Sequence, residues 1–263
     1  MTDTGFGTPL VLLHAFPVDS RMWRGVEESL VEHIRVIAPD QRGMGKTPLV
    51  LSGEDGERLP EPSLDVVAAD VLRELDERGL DRVLVGGCSM GGYVAMALLR
   101  AAPHRVAGLL LVDTRAGADG PEQRANRLAA AERAEREGVG WLADTMLPNL
   151  LGDTTHRERP HVVATAQELV RTQPAAGVAW AQRAMAARPD STGLLRRVQV
   201  PTLVVVGEED RVTPPEVAQD LAGSIPDAEL VVLPRCGHLP PLEDPDAFAE
   251  VTLAWVRRVA ERV

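Results

Sequence analysis

The residue best placed to do chemistry is Ser89, in Gly87-Cys88-Ser89-Met90-Gly91 with Gly92 following. An apolar strand-like run, Arg82–Gly86, leads into it. A helical pattern, Ser89–Ala101, leads out. A chain that passes from strand to helix within a residue or two must turn sharply, and small neighbours remove the collisions that the turn creates. The serine hydroxyl then stands at the carboxyl edge of a sheet and at a helix N-terminus, where free N–H groups favour developing negative charge. This is the G-x-S-x-G nucleophile pattern in its required setting. A glycine-rich turn holding an incidental serine would lack that setting. A phosphate-cradling loop would need G-x-x-x-x-G-K-[ST], which is absent here.

A serine nucleophile needs a base, and the base needs an orienting carboxylate. Of six histidines, His238 stands in Cys236-Gly237-His238-Leu239-Pro240-Pro241, after the last strand and before the last helix. His33, His104, His156 and His161 sit in helical or helix-end positions that suit solvated or capping roles. Asp210, in Gly207-Glu208-Glu209-Asp210-Arg211-Val212, follows another strand and is the expected acid. Glu208 and Glu209 read as solvated neighbours. Asp113 ends an earlier strand and is the rival acid, or else a turn residue. Asp210 is preferred because the order Ser, Asp, His then has each member after its own strand. The loop His14-Ala15-Phe16-Pro17 follows the first strand, so the backbone N–H groups of Phe16 and Met90 are the expected oxyanion donors. His14 is expected to hold that loop. Activity should fall as acid protonates the base.

The elements that position these groups alternate. Strands are expected at Leu10–His14, Arg35–Ala38, Arg82–Gly86, Gly108–Val112, Thr202–Val206 and Glu229–Leu233. Most are apolar almost throughout, as in a parallel sheet covered on both faces. Helical patterns fall at Ser20–Val31, Ser63–Arg78, Ser89–Ala101, Pro214–Ile225 and Pro245–Val259. In the second, Leu64, Val67, Ala68, Val71, Leu72 and Leu75 form one stripe. The fold class is therefore α/β, with a mostly parallel central sheet flanked by helices. Residues 115–197 break the rhythm, with helical patterns at Pro121–Glu137, Trp141–Leu151, His156–Thr172 and Ala175–Ala187 and no convincing strand. They are expected to form a helical cap inserted into a core of 1–114 and 198–263. Trp141, Met146, Leu150, Trp180 and Met185 are candidate pocket residues, although each could simply pack the cap. Ser52–Pro62 is polar and rich in glycine and proline, and reads as a surface loop.

The bulk numbers narrow the class. With 263 residues and a formal net charge of −11, the chain suits one acidic domain that repels nucleic acid. No run nears the ~18 apolar residues of a membrane span, and the start lacks the features of a signal peptide. Two cysteines, Cys88 and Cys236, make neither a disulfide framework nor a zinc spacing, so a cytoplasmic location is expected. Neither a cofactor nor a metal is called for.

These motifs together resemble the α/β-hydrolase family across nearly the whole chain. The carrying residues are His14-Ala15-Phe16-Pro17, Asp40-Gln41-Arg42-Gly43-Met44-Gly45-Lys46-Thr47, Gly87 to Gly92, Gly207 to Asp210 and Gly237-His238. The resemblance implies a cofactor-free hydrolase with a central sheet and a helical lid. Ala15 stands where the family has glycine, and Thr47 where it has serine. The family's N-terminal antiparallel hairpin is expected to be shortened or missing. Ser89 argues against the dehalogenase and epoxide hydrolase branches, which use aspartate. Leu13 to Pro17, Arg21-Met22-Trp23 and Ser89 to Tyr93 are similar to 3-oxoadipate enol-lactonases and small bacterial carboxylesterases. That implies a small ester or lactone as substrate. The same residues would also serve a ligand receptor with little turnover, or a C–C bond hydrolase or perhydrolase.

Overall fold

The computed structural model describes residues 2–50 and 59–260. Most of the expected loop at Ser52–Pro62 lies outside the described residues. A seven-stranded sheet runs β1-β3-β2-β4-β5-β6-β7. Its strands are β1 (Thr2–Thr4), β2 (Pro9–Leu13), β3 (Arg35–Ala38), β4 (Val83–Cys88), β5 (Val106–Val112), β6 (Thr202–Gly207) and β7 (Glu229–Leu233). All pairings are parallel except β1 with β3. The fold is the expected α/β architecture. β1 is the one strand that the pattern did not reveal. Three polar residues on a sheet edge carry no apolar alternation to read, and this one antiparallel strand, paired with β3, stands where a hairpin was in question.

Every residue of β4, β5 and β6 is buried, as their unbroken apolar runs require. β7 looks similar in sequence but lies at the edge, and Val232 there is 41% exposed. Before the long helical segment come α1 (Arg24–Leu30), α2 (Leu64–Glu77) and α3 (Met90–Ala101). The Ser20–Val31 pattern opens as a 3₁₀ turn, Ser20–Trp23, because the Asp19 carboxylate caps the Arg21 N–H. Ser63 caps α2 in the same way, through Asp65 N–H.

Between β5 and β6 lie six helices and no strand among the described residues: α4 (Pro121–Glu137), α5 (Leu142–Leu150), α6 (Asp153–Glu158), α7 (Pro160–Arg171), α8 (Ala175–Ala187) and α9 (Thr192–Leu195). α4 packs along α8, and α5 along α7. The pattern over His156–Thr172 is thus two helices. Pro160 pushes Arg159 out of the helical region, and the chain breaks there. The last helices are α10 (Pro215–Ser224), α11 (Pro240–Glu243) and α12 (Pro245–Ala260). α9 and α11 are single turns, too short to show a period.

α12 closes the core through Trp255, which is 1% exposed. Gly108 of β5 leaves room for it, since a Cβ there would stand 3.0 Å from the indole. Trp255 Nε1 is buried without a hydrogen-bond partner among the described residues. Trp255→Ala is expected to cost about 3–5 kcal/mol in urea unfolding. Trp255→Phe keeps most of the packing and removes the unpaired donor, so its cost should be well below that of alanine.

Candidate active site

Ser89 ends the turn from β4 into α3 with φ 52° and ψ −112°. That conformation costs a non-glycine residue about 1–3 kcal/mol and persists only where the surroundings enforce it. A Cβ on Gly87 would lie 2.2 Å from the Gly91 carbonyl, and one on Gly91 would lie 2.0 Å from Leu13 O. The two glycines let the helix start press against strand and loop. The Ser89 N–H donates to Val112 O at 2.8 Å, and the Ser89 carbonyl accepts from Gly92 N–H and Thr114 Oγ1. The backbone is pinned and the half-buried side chain is left to point outward.

The structure brings Ser89, His238 and Asp210 together. His238 Nε2 lies 2.8 Å from Ser89 Oγ, and Nδ1 lies 2.8 Å from Asp210 Oδ2. With a carboxylate at Nδ1, that nitrogen carries the proton and Nε2 accepts from the serine hydroxyl. Asp210 also accepts from Val212 N–H at 2.7 Å, Thr213 N–H at 3.1 Å and Thr213 Oγ1 at 2.7 Å. Burial alone would raise its pKa. The attraction of His238 and these donors outweigh burial and hold the carboxyl well below the usual carboxylate range. Asp113, the rival acid, gives no hydrogen bond to His238, and its Oδ1 accepts from Gly207 N–H at 2.9 Å.

His14 is fully buried, with Nδ1 donating to Ala15 O at 2.9 Å and Nε2 accepting from Gln41 N–H at 2.9 Å. Burial lowers its pKa, so it is a neutral brace for the loop carrying Phe16. Phe16 is buried beside this brace. Met90 is the first residue of α3, so its N–H has no carbonyl one turn back to bind. In the loop at 40–47, the Asp40 carboxylate accepts from the N–H groups of Ser20 and Lys46.

Two glutamates were not foreseen. Glu209 is no solvated bystander: its carboxylate accepts from Thr154 N–H at 2.8 Å and from Thr154 Oγ1. Glu243, 2% exposed, accepts from the N–H groups of Gly152, Gly237 and Leu239 and from Thr155 Oγ1. The His238 N–H itself donates to Leu150 O at 3.0 Å. A Cβ on Gly237 would lie 2.3 Å from Gly152 N. Residues 150–155 are therefore fastened to the loops that carry Asp210 and His238. In sequence, a glutamate in a short proline-led turn reads as a solvated charge, and only the tertiary contacts reveal its task.

Of the expected pocket residues, Leu150, Trp180 and Met185 are buried, and Trp141 and Met146 are partly buried. Trp180 Nε1 donates to Pro60 O, Trp141 lies under the Arg133 guanidinium, and Met185 Sδ faces Arg127. Cys88 and Cys236 are buried free thiols. Burial pushes both up, Cys236 to about 12, so neither is primed as a nucleophile.

The family model for the alpha/beta hydrolase family matches residues 10–251, and the chain belongs to that family. It is a hydrolase by this membership and by its relatives. The pimeloyl-[acyl-carrier protein] methyl ester esterase of Nitrosospira multiformis is 29% identical, over 96% of each chain. The 2-hydroxy-6-oxo-2,4-heptadienoate hydrolase of Pseudomonas putida is 31% identical, over 94% of this chain and 88% of its own. Among solved structures, a thermophilic esterase from Thermogutta terrifontis, with malate bound, superposes with a TM-score of 0.93 at 41% identity. That match covers 98% of this chain and 92% of the other. The enol-lactonase of Burkholderia xenovorans superposes with a TM-score of 0.86 at 26% identity, over 97% and 95%. Among the described residues, no helix is long and apolar enough to cross a membrane.

Glu243→Ala would leave three backbone N–H groups and a hydroxyl without their buried acceptor. The expected loss is about 3 kcal/mol or more in urea unfolding, because charge-assisted hydrogen bonds contribute about 1.5–3 kcal/mol each. Glu243→Gln should fall between alanine and wild type.

Proposed function

We propose that the chain is a cofactor-independent serine hydrolase that cleaves a carboxylic ester or lactone through an acyl-enzyme on Ser89. The observation that carries this reading is the unbroken relay Ser89 Oγ, His238 Nε2, His238 Nδ1, Asp210 Oδ2, with both contacts at 2.8 Å. His238 takes the Ser89 proton as the oxygen attacks the carbonyl. The N–H groups of Phe16 and Met90 receive the oxyanion. His238 then protonates the departing alcohol, which for a lactone stays attached to the acyl group. Water, activated by the same imidazole, releases the acid. Asp210 keeps the imidazole in the working tautomer and offsets its transient charge.

In this reading residues 115–197 are a cap over the serine, and Trp141, Met146, Leu150, Trp180 and Met185 shape the acyl or alcohol side of the pocket. The substrate is a small ester or lactone, in line with the esterases and the enol-lactonase among the similar proteins. The heptadienoate hydrolase similarity favours one second reading, hydrolysis of a 2-hydroxy-6-oxo-dienoate by the same serine. A cytoplasmic location goes with the free buried thiols.

The test uses a fluorophosphonate probe and p-nitrophenyl esters of graded length, with a 2-hydroxy-6-oxo-dienoate in the same panel. Wild type should label and turn over, and Ser89→Ala should neither label nor retain more than about one part in 10⁴ of kcat/KM. A folded wild type that is inert to every substrate and to the probe would sink the enzyme reading in favour of a ligand receptor. Preference for the dienoate over all esters would select the second reading.

A further inference from the structure

Asp113 follows β5 with φ 44°, and its N–H donates to Val205 O at 2.9 Å. Its side chain is 1% exposed. Oδ1 accepts one N–H, from Gly207. Oδ2 is buried, and among the described residues no N–H or hydroxyl donates to it. The Asp210 carboxyl is close by: a carboxylate oxygen of Asp113, one of Asp210 and a ring nitrogen of His238 lie within 4.8 Å of one another. A buried acceptor turned toward another acceptor is unsatisfied unless a proton lies between them. Asp210 takes three donors from Val212 and Thr213 and a fourth from His238 Nδ1, so it is the oxygen pair built to stay ionised. Asp113 has a single N–H.

We propose that Asp113 is a protonated positioning residue, whose carboxyl O–H is donated to Asp210 and fixes the acid that orients His238. This inference rests on the serine hydrolase reading for its catalytic consequence. The charged groups facing Asp113 agree on its state. Asp210 comes from the loop after β6, Glu243 from α11, and the Cys88 thiol of β4 is also near. The His238 imidazole, on the loop after β7, already gives its proton to Asp210. Burial first, and then the negative charge of Asp210, push the Asp113 carboxyl far above the carboxylate range. The donated proton adds a further, short-range hydrogen bond to the four that Asp210 already accepts. It also moderates the basicity of Asp210, so the Nδ1 proton stays on the imidazole through the cycle.

The experiment compares wild type with Asp113→Asn and Asp113→Leu, in kcat and KM against pH and in thermal unfolding against pH. The asparagine amide can accept from Gly207 and donate to Asp210. Its acid limb should coincide with that of wild type and its kcat should stay within about threefold. Leucine has the volume but no donor. Its kcat should fall roughly 10–100-fold, the worth of a hydrogen bond to a charged group, with KM little changed. Its acid limb should move to higher pH, because Asp210 without the Asp113 hydrogen bond is more basic and stabilises the His238 cation more strongly.

The unfolding arm needs no activity, so it separates failure of this inference from failure of the hydrolase reading. A carboxyl neutral in the fold ionises in the unfolded chain above about pH 4. Its contribution to stability is full below that pH and is lost as pH rises toward the folded pKa. Asparagine removes this loss. The Tm of Asp113→Asn minus that of wild type should therefore be level below about pH 4 and grow from there to about pH 8. A gap that does not vary with pH, or an asparagine acid limb displaced to lower pH, means that Asp113 is charged and overturns the proposal. A leucine variant that matches wild type in kcat and limb overturns the positioning role. Should leucine fail to fold, the asparagine limb and Tm gap still decide the protonation.

Discussion

The site depends on one strained residue. Ser89 is held at φ 52°, and the constraint works in both directions along the chain. It demands glycine at 87 and 91, because helix and strand approach within a bond length or two of where a Cβ would stand. It also aims the hydroxyl at a single place, the edge where β4, β6 and β7 end. His238 and Asp210 are useful only because loops from those neighbouring strand ends reach the same place. The rest of the α/β layering serves to keep these strand ends in register.

The electrostatics of that edge are acidic. Asp113 and Asp210 stand beside the His238 imidazole, and Glu243 binds the backbone on either side of it; the fold handles each differently. Asp210 is surrounded by donors and held below the carboxylate range, whereas Asp113 has one donor and is pushed above it. Glu243 spends its oxygens on backbone N–H groups of two separate segments. In the proposed reaction, such a cluster stabilises a histidine that becomes cationic in mid-cycle, provided that the number of real charges is kept low.

Much of this was legible in the sequence, and the reasons are physical. β4, β5 and β6 are buried on both faces, so their runs are unbroken and easy to read. Ser89, His238 and Asp210 each follow a strand, and that position alone assigns them to one edge of the sheet. What stayed hidden depends on contacts between distant residues. β1 is three polar residues whose pairing with β3 has no local signature. Pro160 was visible, yet the pattern on either side of it ran on, so one helix was expected where two exist. Glu209 and Glu243 carry charge, and charge reads as solvent-facing unless partners from residues 150–155 are known. The rivalry of Asp113 and Asp210 was open because both end strands; the distance to His238 Nδ1 separates them.

The close backbone contact of Gly152 with Gly237 bears on how this protein could be re-engineered. The natural cut points for exchanging the proposed cap are its sequence boundaries near residues 115 and 197. Yet residues 150–155 belong mechanically to the loops that carry Asp210 and His238, so a graft made at those boundaries would import foreign support for His238. A modular exchange would take α4 and α8 and leave the Leu150–Thr155 corner with the host.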